Sequence, residues 1–176
     1  MKAKPRDPEE SLFAHGSMAF TIFNGFMIAA LTLGAFLWSP ITHLNEAGMP
    51  VTLANIKWML GEVIMENGAE YSVIRHAQTY AFTTLGISQL FHAIGMRNYD
   101  KSLFRQNPFE NKAMIGAFAI GLLLQLAVTE IDILVEVFET SKLSLNEWGS
   151  LILLSMIPLL THEIIVAGKH MFRKKA

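Results

Sequence analysis

The sequence predicts an all-α fold: an integral membrane four-helix bundle with both termini on the cytoplasmic side. Three observations carry this. First, four apolar stretches of about 21 residues, at 18–38, 76–96, 113–133 and 148–168, each have the length a helix needs to cross roughly 30 Å of hydrocarbon. Second, residues 18–38 and 76–96 contain no Asp, Glu, Lys or Arg, the third stretch is uncharged as far as Thr129, and the fourth holds one acid, Glu163. A soluble four-helix bundle would show charged outer faces, and residues 18–38 have no charged face at any angle. Third, eleven of the fourteen Lys and Arg residues fall in the N-terminal arm, in the loop 97–112 or in the tail beyond Gly168. The loops 39–75 and 134–147 keep only Lys57, Arg75 and Lys142, so the positive-inside rule puts them outside and both termini in the cytoplasm.

Composition narrows the function classes. Hydrophobic residues make up 52% of the chain, while 16% charged residues are too many for a bare hydrophobic peptide. With no cysteine there is no disulfide framework, thiolate chemistry or Cys-based metal site. The net charge of −1 identifies no partner, because the charges are segregated along the chain, and no nucleic-acid partner is expected. The start, MKAKPRDPEE, is polar and mixed in charge. The first apolar run exceeds a signal-peptide core and lacks a small-x-small cleavage site, so it is expected to stay as a span.

Each element then has its own signals. In the first outer loop Pro40 and Pro50 predict irregular chain. Thr52 is placed to cap a short amphipathic helix whose Leu53, Ile56, Met59, Leu60, Val63 and Ile64 share a face, with Gly68 as its stop. That helix either lies on the membrane surface with Trp58 near the interface or packs as a cap over the bundle. Asn107-Pro108 predicts a turn in the cytoplasmic loop. Ser144 and Glu147 have capping-box spacing at the start of the last span. Within that span Pro158 lacks a backbone donor and clashes with the carbonyl of Leu154, which predicts a kink.

The second span, HAQTYAFTTLGISQLFHAIGM, is the polar one. At 100° per residue Thr84, Ser88, Gln89 and His92 fall on one side, with Gln78 three turns from Gln89 on nearly the same line. Such a stripe belongs against other helices or a hydrated cavity rather than lipid. Ser88, Gln89 and His92 can then offer oxygen or nitrogen to a cation, or serve only as hydrogen-bonding glue between helices. Glu163 is the one acid well inside a span. It is either a functional carboxylate, partnered by His92, Gln89 or His162, or half of a structural pair for which Lys169 competes. His92 and His162 lie at similar depth on different helices, as bis-His haem ligation requires, but no second pair is placed toward the outer side. Small residues at Gly25, Ala29, Ala30 and Gly34, and at Ala113, Ala117 and Gly121, mark faces where helices can approach closely. No phosphate-cradling Gly-Lys-Ser/Thr loop and no nucleophile elbow is present, so this chain offers no catalysis unaided.

With those residues set out, the chain resembles the last four transmembrane helices of a P-type cation-transporting ATPase of the calcium-pump type. The opening KPRDPEESLF resembles the Pro-Arg-Asp/Asn-Pro-Lys-Glu segment ahead of that family's seventh helix. The second span with SQLFHAIGMRNYDKSLF resembles the eighth helix and the turn after it, and NKAMIGAFAIGLLLQLAV the ninth. LSLNEWGSLILLSMIPLLTHEIIVAGK resembles the tenth, with its Trp near the start, its Pro in the middle and an acid after it. Residues 39–75 match nothing in that pattern.

The resemblance implies a C-terminal membrane domain that braces the ion-binding helices of an ATP-driven pump and lines its cation cavity, Ca²⁺ being the implied ion. The implied partners are the lipid bilayer and the rest of the pump. The phosphorylation loop Asp-Lys-Thr-Gly and the nucleotide and actuator domains, with ATP and Mg²⁺, lie upstream in the family and not in this sequence. One liganding position of the family, a Glu on the eighth helix of some calcium pumps, matches Gln89. Other branches also carry Gln there and are associated with fewer ions per cycle. A neutral amide is a weaker Ca²⁺ ligand than a carboxylate. His92, one turn on, matches a polar position of the same cavity. The expected location is a multi-pass chain in the cell membrane. The alternative is a stand-alone four-span subunit or assembly factor with no transport role.

Overall fold

The computed structural model describes residues 17–66, 69–96 and 111–173. The side chains of Ser17, Glu66, Ala69 and residues 169–173 lie outside that description, as do Gly68 and the Asn107-Pro108 turn. The elements are α1 (Ser17–Glu46), α2 (Leu53–Leu60), β1 (Val63–Glu66), β2 (Ala69–Ser72), α3 (Val73–Gly95), α4 (Lys112–Glu130), α5 (Asp132–Val137), α6 (Leu145–Ser155) and α7 (Ile157–Arg173). The molecule is therefore mostly helical but not all-α.

The hairpin is the departure from expectation. The helix capped by Thr52 forms, with the Thr52 hydroxyl accepting from the Asn55 N–H at 3.2 Å. It ends at Leu60 with Gly61 as its cap, well before Gly68. Val63 and Ile64, assigned above to its apolar face, lie instead in β1, which pairs antiparallel with β2 from Val63↔Ser72 to Glu66↔Ala69. β-branched and aromatic residues flank an Asn67-Gly68 dipeptide here, which is the strongest short-range hairpin signal a sequence can carry. Pro40 departs as well. α1 runs through it to Glu46, and Pro40 is buried inside the helix. The helix is held past its proline because Leu44, fully buried, packs with Met59 of α2 and Val73 of α3 in an outer apolar cluster.

α3 is the axis of the fold. It packs most extensively against α1 and also against α4, α6 and α7. Ala35, Tyr80, Ile87, Leu143, Trp148 and Leu151 form the main core around it. Three stretches, Met18–Glu46, Lys112–Glu130 and Leu145–Gly168, are long and apolar enough to cross a membrane. α3 has the length but not the apolarity, because its buried face carries His76, Thr79, Thr83, Thr84 and Ser88. The neighbouring helices shield these groups, so α3 does not have to satisfy lipid on that side.

In lipid, helices associate through close packing and hydrogen bonds rather than through apolar burial. The α3–α4 contact shows both. At Gly121, one of the small residues singled out in the sequence, an added Cβ would lie 2.7 Å from a Leu90 methyl. At Gly86 it would lie 2.8 Å from Gln125 Oε1. The buried Gln125 donates its amide to Thr83 Oγ1 at 3.0 Å. Gly25 and Gly34 have nothing within 4 Å of an added Cβ, so among the described residues that face of α1 is uncovered. The last apolar stretch divides at Met156, between α6 and α7 and two residues before Pro158, where the proline clash with the Leu154 carbonyl predicts a kink.

Candidate cation-cavity face and the outer clasp

Around α3 the burial pattern divides the polar stripe of the sequence. Thr84 and Ser88 are fully buried, His92 is half-buried, and Gln89 is exposed. The four positions span about 140° of helix circumference, wider than a single helix contact, so the edge of the packed face cuts through them. Ile74, Gln78, Phe82, Leu85, Gln89 and Met96 make one continuous exposed stripe along α3. Gln78 and Gln89, on the same line as the spacing implies, are its two amides.

The remaining candidates lie elsewhere. Glu163 on α7 is largely enclosed, its side chain 13% exposed, with Oε1 3.7 Å from Nδ1 of His162. Of the partners the sequence offered, His162 is thus the neighbour, while the Lys169 side chain lies outside the described residues. His162 is buried between the Phe20 ring, edge-on at 6.1 Å between centroids, and Gly95 of α3. Among the described residues no group of three or more His, Asp and Glu side chains is arranged to hold a metal ion.

Sequence reasoning missed a second polar constellation, at the outer end. Ser144 and Glu147 form the expected capping box, with the Ser144 N–H donating to Glu147 Oε2 at 2.6 Å and the Glu147 N–H donating to Ser144 Oγ at 3.4 Å. The other carboxylate oxygen, Oε1, takes the Tyr80 hydroxyl at 2.7 Å and His76 Nε2 at 2.9 Å. His76 is itself held between the Tyr71 ring, stacked at 4.5 Å, and the Tyr80 ring at 4.6 Å. Beside them Trp148 Nε1 donates to Glu130 Oε1 at 2.9 Å, and the Ser141 N–H donates to Thr79 Oγ1 at 2.8 Å. One carboxylate thus caps α6 and clasps it to the first two turns of α3. His76 and Tyr80 share a face of α3 at i, i+4 spacing, but nothing in the sequence pairs that face with Glu147.

A polar central helix wrapped by apolar ones, with one mixed face left open, defines a multi-pass integral membrane domain. Residues 1–167 match the family described as cation transporting ATPase, C-terminus. The chain is 38% identical over 169 residues to calcium-transporting ATPase 1 of Bacillus cereus, covering 96% of this chain and 18% of that protein. It is 33% identical over 175 residues to a calcium-transporting ATPase of Bacillus subtilis, covering 99% of this chain and 16% of that protein. A similarity of 23% over 167 residues extends to calcium-transporting ATPase 3, endoplasmic reticulum-type, of Arabidopsis thaliana, covering 94% of this chain and 16% of that protein. The chain belongs to the family of cation-transporting ATPase C-terminal domains, and it spans less than a fifth of these relatives' length.

Proposed function

We propose that this chain is the C-terminal membrane domain of an ATP-driven P-type pump whose cargo is Ca²⁺. In this reading α1, α3, α4 and the broken α6–α7 unit are four spans with both termini cytoplasmic, as the distribution of basic residues favours. The domain braces the ion-binding helices of the remaining pump and supplies one wall of the ion cavity. The carrying observation is the position of Gln89, central to the one exposed stripe of a helix otherwise wrapped on all sides. An amide facing hydrocarbon is costly, so the stripe calls for further helices or a hydrated cavity against it. The calcium-transporting relatives, matched over nearly the whole chain, support the ion.

Gln89 is then a neutral ligand position, with His92 at the rim of the same cavity and Ser88 behind it in the packed face. Glu163 lies beside His162 in the middle of α7 and is not assigned to the ion in this reading. The test is coexpression with the remaining pump, followed by ATP-driven calcium uptake into vesicles. Uptake should require both parts, and Gln89→Ala should weaken calcium affinity or alter stoichiometry. Failure of the two parts to reconstitute uptake would reject the pump role. An unchanged calcium titration for Gln89→Ala would return Gln89 to the packing class.

A further inference from the structure

On the packed side of α3, several buried polar atoms lack a hydrogen-bond partner among the described residues: Asn24 Oδ1, Thr84 Oγ1, Ser88 Oγ and both ring nitrogens of His162. Asn24, Thr84, Ser88 and His162 are each at least 97% buried, so neither bulk solvent nor an outside helix reaches them. Thr32 Oγ1 and His76 Nδ1 are buried without a hydrogen-bond partner as well but lie elsewhere, and the other five atoms group on α1, α3 and α7. On α3, Thr84, Ser88 and Gly95 fall within about 40° of one line. His162 of α7 sits against Gly95, a Cβ there lying 3.5 Å from its Cγ. Phe20 of α1 touches His162 from the other side, and Asn24 is one turn along α1 from Phe20, its amide nitrogen donating to the Phe20 carbonyl at 2.8 Å. From Thr84 to Gly95 the line is about 16 Å long at 1.5 Å per residue.

For Ser88, local rearrangement offers no free acceptor. Thr42, Thr79, Thr129 and Ser150 each donate to the carbonyl four residues back, the usual refuge of a helical hydroxyl. Ser88 would use the carbonyl of Thr84, and that oxygen already accepts from Ser155 Oγ at 3.3 Å. A buried hydroxyl or amide without a partner costs roughly 1–3 kcal/mol on protein scales, so a run of them is not sustainable dry. The set mixes acceptors, hydroxyls and an imidazole, which in its neutral form has one donor and one acceptor nitrogen. Its one nearby carboxylate, Glu163, lies at the His162 end. A small neutral ligand that both donates and accepts fits this set better than a cation does.

We infer that ordered water occupies the interior around α3 where α1, α6 and α7 meet it, hydrogen-bonded by Asn24, Thr84, Ser88 and the His162 ring. It is an internal hydration site of this domain, separate from the open face that holds Gln89, and it stands whichever ion the pump carries. Two measurements on the full chain in lipid bilayers test it. In solid-state NMR with ¹⁵N-labelled histidine, the ring signals lost in His162→Gln should receive magnetisation directly from water. No transfer to those signals would overturn the proposal. The double variant Thr84→Val/Ser88→Ala separates wet from dry by sign. If water is bound there, its partners are lost and the melting temperature falls. If the site is dry, two unsatisfied polar groups have been removed and the melting temperature rises, which refutes the inference.

Discussion

Replacing Glu147 by Ala should be the most damaging single change at the outer end of the domain. It removes the shared acceptor of three donors: the Tyr80 hydroxyl at 2.7 Å, His76 Nε2 at 2.9 Å and the Ser144 N–H at 2.6 Å. Tyr80 and His76 are 7% and 2% exposed, while the Glu147 side chain is 26% exposed, so water can only partly replace the carboxylate. A hydrogen bond to a charged group contributes about 1.5–3 kcal/mol. The three share one partly exposed carboxylate and do not add, so the loss stays within about 1.5–3 kcal/mol. That is the range expected for Glu147→Ala. Tyr80→Phe, which deletes one donor and no packing, should cost about 1.5 kcal/mol. Because both changes remove the same bond, the double variant should fall short of their sum by about 1–2 kcal/mol. The assay is reversible unfolding in mixed micelles followed by circular dichroism, with all variants measured together. A Glu147→Ala variant within about 0.5 kcal/mol of the parent, or strict additivity with Tyr80→Phe, would refute the clasp.

Other substitutions discriminate among the contacts described. Gly86→Ala should destabilise by about 1–2 kcal/mol despite the better helix propensity of alanine, because its Cβ displaces the Gln125 amide from Thr83. Gly121→Ala should cost less in the same unfolding assay, since only the flexible end of Leu90 must move. Thr52→Ala should loosen α2 by about 1 kcal/mol through loss of its cap, visible as faster amide exchange over Leu53–Leu60. The Asp132 carboxylate, 2.6 Å from Lys142 Nζ, holds that ammonium above its ordinary range. A raised pKa in the folded state contributes stability that is present below the unfolded value and is lost as pH rises through the folded one. Both groups are exposed and screened by salt, so Lys142→Ala should leave the unfolding midpoint at neutral pH unchanged. A clear drop there would mean that the pair carries more than a surface contact does.

The elements legible in the sequence were those in which local chemistry and burial agree. The apolar runs of α1, α4 and α6–α7, the caps at Thr52 and Ser144/Glu147, and the break near Pro158 are each decided by a few neighbouring residues. The misses come from two sources. At Val63 and Ile64 an apolar pattern fitted a continuing helix with Gly68 as its stop, and the Asn67-Gly68 dipeptide went unread as a hairpin signal. At Pro40 a local breaker lost to tertiary packing, because Leu44 beyond it is fully buried against Met59 and Val73. For the candidate site, helical periodicity brought Thr84, Ser88, Gln89 and His92 to one side of α3. Only the placement of α1, α4, α6 and α7 shows which of them face inward. Glu147 was recognised as a cap, but its bonds to His76 and Tyr80 join positions about 70 residues apart and leave no local trace.

The polarity of α3 also bears on how the chain enters a bilayer. A segment with buried hydroxyls, a histidine near its start and two exposed glutamines partitions poorly into lipid by itself, although the other helical stretches qualify on length and apolarity. α1 precedes it in the chain, makes its most extensive contact with it, and covers part of the face that lipid would reject. If α3 spans the bilayer as proposed, it should insert only with α1 already in place, and α4 to α7 should then close over the pair. A mutation that weakens α1 would be read first as a failure of α3 to insert, as a topology defect rather than a loss of transport.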